Sequence, residues 1–208
     1  MSVVVATGVG QGGHRARIVE AALGCIGRWG TAKTTLDDVA RQAGCSRATV
    51  YRMFPGGKDA VLDAVARAEV DRFFVAIAAR LQAAGSLEDL LVAGMCEAGR
   101  RIRDHQALQF LVAYEPETIM PRLTFAQADE ILRCASEIAA PYLARWLEPD
   151  DALRVGAWAA RLVLSYSCVP SADVDMADEE SVRRLVRRSV LPGLAPLRRG
   201  GSARTLNG

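Results

Sequence analysis

The stretch TTLDDVARQAGCSRATVYRMF, Thr34 to Phe54, followed by Pro55-Gly56-Gly57 and Lys58, decides the fold. Leu36, Val39, Ala40 and Ala43 stand at i, i+3, i+4 and i+7, one face of a helix. Thr34 or Thr35 supplies its N-cap, and Asp37 and Asp38 fall in the first turn, where negative charge suits the helix dipole. Gly44 offers the left-handed residue that ends a helix. Ser46 then caps a second helix, whose Val50 and Phe54 face back toward the first. Arg47, Thr49, Tyr51 and Arg52 are left on its outer face. Two short helices around a small-residue turn, the second with a polar outer face, describe a helix-turn-helix whose second helix enters the major groove. A bare helical hairpin would need no Thr, Tyr and Arg aligned on one exposed face.

The matching pattern is Gly30, Thr34-Thr35, Val39-Ala40, Ala43-Gly44, Ser46-Arg47, Thr49-Val50-Tyr51, Phe54 and Lys58. With these residues the stretch closely resembles the DNA-binding segment of the TetR family of bacterial transcription regulators. The resemblance is specific over residues 14–70; beyond them it rests on length and helix order. It implies an all-helical second domain, a homodimer built from the last two long helices, and a small-molecule pocket among the others. It also implies phosphate-bonding roles for Tyr51 and Lys58, and repression as the usual mode. Two departures stand out. Met53 occupies a position where the family often has His or Tyr, and the Pro55-Gly56-Gly57 loop is one residue longer than the common form, which alters the reach of Lys58.

The candidate DNA-contacting residues are therefore Thr34, Thr35, Ser46, Arg47, Ala48, Thr49, Tyr51, Arg52 and Lys58. Arg47 can meet a guanine edge bidentately or a phosphate, and Thr49 offers a methyl to thymine or a hydroxyl to a phosphate. Phosphate contacts set position and affinity while base contacts set sequence choice. Arg47, Thr49 and Arg52 are assigned to specificity, and Thr34, Tyr51 and Lys58 to anchoring. The N-terminus of the helix that opens at Lys58 adds exposed N–H groups suited to a phosphate.

Half of the 208 residues are hydrophobic and 24% are charged, the balance of a globular chain. Net charge is only +2, but it is unevenly placed. Residues 1–58 carry eight Lys or Arg against Glu20, Asp37 and Asp38, so the remainder is mildly acidic. A basic end on an acidic body suits a DNA-reading module joined to a second function. The five cysteines form no CxxC pair, and no basic lead-in with an apolar run marks a targeting segment. Val155 to Val169 is the nearest approach to a membrane span, and Arg161 interrupts it. Reduced thiols, a cytoplasmic location and no membrane partner are the expectations.

The fold class expected is all-α: an N-terminal three-helix helix-turn-helix domain and a C-terminal helical ligand-binding and dimerisation domain. Residues 1–13 read as a disordered arm, 14–57 as the DNA-binding domain, 58–196 as the effector and dimerisation domain, and 197–208 as a disordered tail. The first helix runs from about His14 to Trp29, with Ile18, Ala21, Ala22, Cys25, Ile26 and Trp29 on its apolar face. Pro141 is expected to kink or break a helix over 124–147. The apolar helix 151–169 must be buried on more than one face, which leaves one for a second copy of the chain. The arginine row Arg183, Arg184, Arg187 and Arg188 reads as a solvated face, and 171–178 as a polar loop.

Phe74, Met95, Phe110, Tyr114, Met120, Phe125, Trp158 and Tyr166 are the candidate ligand-binding residues, taken to line a cavity of roughly 300–1,000 Å³. Glu97, Arg100, His105 and Gln109 are candidates to hold a head group. Few charges interrupt these faces, so the effector expected is apolar or amphipathic, such as a fatty acid or another acyl-chain compound. No cofactor and no metal are expected. An enzyme is disfavoured: the chain has only His14 and His105, no Gly-rich phosphate loop, no metal-spaced Cys/His cluster and no GxSxG. The rival reading is a DNA-binding architectural or adaptor protein controlled by a protein partner. It would need no pocket and show little base preference.

Overall fold

The computed structural model describes residues 8–117, 126–169 and 171–197. Among them the chain is helical, with no β-sheet. It divides into two compact units. Of the described residues, the first holds 8–72 together with 105–117, and the second 73–104 together with 126–169 and 171–197.

The first unit contains α1 (Gly8–Lys33), α2 (Leu36–Ala43), α3 (Arg47–Met53), the first part of α4 (Gly57–Gln82) and α6 (Gln106–Tyr114). α1 begins at Gly8, ahead of the expected start, so the Gly-rich 8–13 stretch is helical rather than an arm. The expected caps form. Thr35 accepts from the Asp38 N–H at 3.2 Å, Ser46 accepts from the Thr49 N–H at 3.1 Å, and Gly44 closes α2 at φ 64°. Ile18, Ala22 and Cys25 of α1, Val39 of α2, Val50 of α3, Phe54 and Val61 meet in one core. Trp29, expected on the buried face of α1, is 39% exposed, because the core-facing stripe ends at Ile26.

α6 belongs to this unit because it lies along α1. Gly27 brings the two backbones together, with the amide of Ala107 3.7 Å from where a Gly27 side chain would begin. Ala107 is the buried residue of α6, whereas Val112 and Tyr114 face outward. His105 caps α6 by accepting from the Leu108 N–H at 3.1 Å, and its Nε2 meets the Glu69 carboxylate at 2.8 Å.

The second unit contains the rest of α4, α5 (Leu87–Asp104), α7 (Ala126–Leu143), α8 (Pro149–Cys168) and α9 (Glu179–Leu185). α9 runs on through a π-helical turn, Val186–Val190, into α10 (Leu191–Leu194). Leu87, Leu90, Leu91 and Met95 of α5 pack with Leu143, Leu147, Val155, Val182, Val186 and Val190. α7 and α8 approach closely at Gly156, where a Cβ would stand 3.0 Å from the Ser136 Cα. α7 passes through Pro141 and stops two residues later, so the proline ends the helix early without splitting it.

Two expectations for this unit hold only in part. The stretch 171–178 is a loop, as expected, but it is not polar throughout: Met176 and Ala177 are buried, and the Ala177 carbonyl accepts from Arg100 Nε at 2.9 Å. The arginine row is a solvated face at Arg184, Arg187 and Arg188, but Arg183 is half-buried. Arg183 pairs with Glu88 at 3.0 Å, Asp89 at 2.9 Å and Glu179 at 3.0 Å, and Arg187 reaches Glu88 at 2.8 Å. Glu88 and Asp89 lie in the first turn of α5, where they suit its dipole and draw α9 onto it, whereas Glu179 is in α9 itself.

Candidate nucleic-acid interface

α3 is short, so its placement depends on what grips its two ends. Ser46 fixes the first. At the second, Arg15 of α1 donates to the Met53 carbonyl at 2.9 Å and stacks its guanidinium 4.2 Å from the Phe54 ring centroid. Phe54 itself is 1% exposed and Val50 is fully buried, so the helix cannot rotate without opening the core. This leaves Arg47, Ala48, Tyr51 and Arg52 exposed and Thr49 half-buried, the polar outer face read from the sequence. Thr35 and Ser46 are exposed at the two caps, where each hydroxyl serves a helix start.

Arg47 has a partner that the sequence did not reveal. Its Nη1 donates to Asp37 Oδ2 on α2 at 2.9 Å, and its Nη2 reaches the Tyr51 hydroxyl at 3.4 Å. The Tyr51 hydroxyl and the Asp37 carboxylate both hold the guanidinium in its charged form. Asp38 turns the other way, to Thr35 and Arg41, and the Thr35 hydroxyl above all keeps its carboxyl below the usual range.

Thr34 is a correction. It is 3% exposed and its hydroxyl donates to the Gly30 carbonyl at 2.6 Å, so its side chain locks the turn and is not offered to a phosphate. Lys58 is half-buried and donates to the Ala32 carbonyl at 3.3 Å, across the same turn. Glu115, just past α6, completes it. Its carboxylate accepts from the N–H groups of Thr31 at 3.0 Å and Ala32 at 3.2 Å, and from the Thr31 hydroxyl. Gly30, at φ 79° and ψ 177°, makes room for this carboxylate; a Cβ there would strike it and stand 2.7 Å from Phe110. Sequence periodicity could not find these links, because they join residues up to 84 positions apart.

The ligand-binding expectations divide. A cavity of about 100 Å³ lies inside the second unit, and Phe74 and Met95 line it with Phe73, Ile77, Ala98 and Gly156. It is smaller than the roughly 300–1,000 Å³ expected for a drug-sized ligand. Among the described residues no charged side chain lines it. Trp158 and Tyr166 do not line it, and Trp158 is 36% exposed. Phe110 and Tyr114 sit in the first unit, their ring centroids 4.8 Å apart. Met120 and Phe125 lie outside the described residues. Three head-group candidates are committed elsewhere: Glu97 pairs with Arg101 at 2.7 Å, Arg100 donates to the Ala177 carbonyl, and His105 caps α6. Among the described residues no group of three His, Cys, Asp or Glu side chains is assembled for a metal, and no helix is long and apolar enough to cross a membrane.

The comparisons agree with this geometry. The pattern of the bacterial regulatory proteins of the tetR family matches residues 18–65, which contain the whole of α2 and α3. The chain is 31% identical over 162 residues to the HTH-type transcriptional regulator BetI of Agrobacterium fabrum, covering 72% of this chain and 73% of that protein. The solved structure of the TetR family repressor AlkX from Dietzia sp., implicated in biodegradation of n-alkanes, superposes with a TM-score of 0.62 at 23% identity. That match covers 88% of this chain and 96% of AlkX. The fatty acid degradation regulator FadR from Bacillus halodurans superposes with a TM-score of 0.55 at 16% identity, covering 84% and 98%. A polar recognition helix locked between a serine cap and an arginine clamp, in a segment this similar, places the chain in the TetR family of bacterial transcriptional regulators.

Proposed function

We propose that the chain works as a homodimeric, sequence-specific DNA-binding repressor that an apolar effector releases from its operator. The observation that carries the DNA-binding part is the outer face of α3. It presents Arg47, Tyr51 and Arg52 on a helix fixed at both ends, in the basic segment of the chain. Arg47, Thr49 and Arg52 read base edges, while Tyr51, Lys58 and the N-terminus of α4 hold phosphates. Lys58 must exchange its Ala32 carbonyl for a phosphate oxygen to do so.

Dimerisation is supported by α8, a largely apolar helix that leaves Leu153 and Trp158 exposed in the single chain. The effector reading is supported by the uncharged lining of the cavity in the second unit. Two relatives of similar fold point the same way, one implicated in n-alkane biodegradation and one named for fatty acid degradation. An acyl or alkyl chain is the ligand class that suits such walls, and it must widen the cavity to enter. The chain connects the units through α4, so an effector that favours one placement of that helix shifts the population competent for DNA.

A gel shift with DNA flanking the protein's own gene, against excess random duplex, tests the reading. Retention of a discrete complex that decanoate or decane dissolves supports it. Equal loss to random competitor favours an architectural role, and retention that no apolar compound disturbs favours control by a protein partner.

A further inference from the structure

We infer that Asp37 is a specificity-determining residue: it positions Arg47 for a base edge and keeps that arginine from serving as a mere phosphate ligand. The inference rests on the DNA-binding reading above. Asp37 stands on the same exposed side as the recognition helix, 61% exposed against 56% for Arg47, so the pair is open to solvent in the free protein. A carboxylate there repels the duplex, and as a plain surface charge it would only weaken binding. Its geometry gives it another role. The carboxylate takes one nitrogen of the guanidinium at 2.9 Å and the Tyr51 hydroxyl takes another at 3.4 Å, with the cation 5.5 Å from the Tyr51 ring centroid. The plane of the guanidinium is thereby fixed by groups on two helices, and N–H donors remain free for a ligand.

An exposed ion pair is weak in water, but docking on DNA excludes the water that weakens it. An arginine of fixed direction can match the O6 and N7 of guanine, two acceptors of set spacing. An arginine without its carboxylate swings freely and carries a full, unshared charge, which suits any phosphate. Asp37 therefore trades total affinity for discrimination.

The test is selection of bound duplexes from a randomised pool, followed by sequencing, for the full-length wild type, Asp37→Asn, Arg47→Ala and the double variant. The wild type is expected to enrich a symmetric site containing a G·C pair that Arg47→Ala no longer selects. Asp37→Asn is expected to lose about 10-fold in preference at that same pair, within the range of one bidentate contact. Its affinity for random duplex is expected to stay equal or rise. The double variant is expected to match Arg47→Ala alone. Thermal unfolding of each variant controls for folding, and the exposed site predicts unchanged midpoints. Asp37→Asn retaining the wild-type base preference, losing preference evenly at every position, or adding its loss to that of Arg47→Ala would each overturn the assignment. A wild type that enriches no site overturns the regulator reading instead, and the inference with it.

Discussion

The carboxylate of Glu115 accepts the backbone N–H groups of Thr31 and Ala32, and so ties the end of α6 to the turn that leads into α2. Burial pushes this carboxyl up, but the Thr31 hydroxyl, the two N–H groups and nearby Lys58 outweigh it, and the net position is below the ordinary value of 4.5. A lowered folded-state value means that the group's stabilisation is complete above pH 4.5 and disappears as pH falls through the lowered value. Glu115→Ala removes the acceptor of the N–H groups of half-buried Thr31 and exposed Ala32 and is expected to cost about 1–2 kcal/mol at pH 7. The thermal midpoints of wild type and Glu115→Gln should differ at pH 7 and converge in acid; a difference that persists below the carboxylate range contradicts the assignment.

Gly30 is irreplaceable for two separate reasons. Its φ of 79° is costly for any residue with a side chain, and the space its Cβ would need is filled by Glu115 and Phe110. Gly30→Ala is expected to destabilise by about 2 kcal/mol or more, measured by urea unfolding. It should also lower DNA affinity, because the displaced turn carries Thr34 and the carbonyl that holds Lys58. Unchanged stability would mean that the turn relaxes freely.

Lys58 and Arg47 separate affinity from choice. Lys58→Ala should weaken binding to every sequence alike and flatten the dependence on salt by about one phosphate contact. Arg47→Ala should also relax base preference. Anisotropy titrations across a salt series on the selected site and on random duplex measure both, and parallel losses for the two variants contradict the division.

The cavity gives a prediction that leaves the DNA face untouched. Ala98 is buried and lines it, so Ala98→Leu fills the space that an effector would widen. Full DNA binding with no release by decane or decanoate is expected. Release equal to wild type would locate the effector elsewhere.

The sequence carried what is local. The caps at Thr35 and Ser46, the stop at Gly44 and the burial of Val50 and Phe54 follow from spacing and residue type, and each stands where expected. Links between elements distant in sequence were not legible. Nothing in the residues around Arg15 announces that it clamps the carbonyl of Met53. Phe110 and Tyr114 looked like pocket walls, because residue type records that a side chain is apolar and not which neighbour covers it. Asp37 looked like a dipole partner, and only the crossing of α2 and α3 brings it to Arg47.

The central claim is that two copies of α3, one from each protomer, bind one duplex at a defined site. Footprinting of DNA flanking the protein's own gene measures this directly, with the mass of the complex determined by light scattering. The account predicts a discrete, two-fold symmetric protected site occupied by two or a multiple of two chains. Protection without boundaries, or a single chain on the DNA, would contradict it.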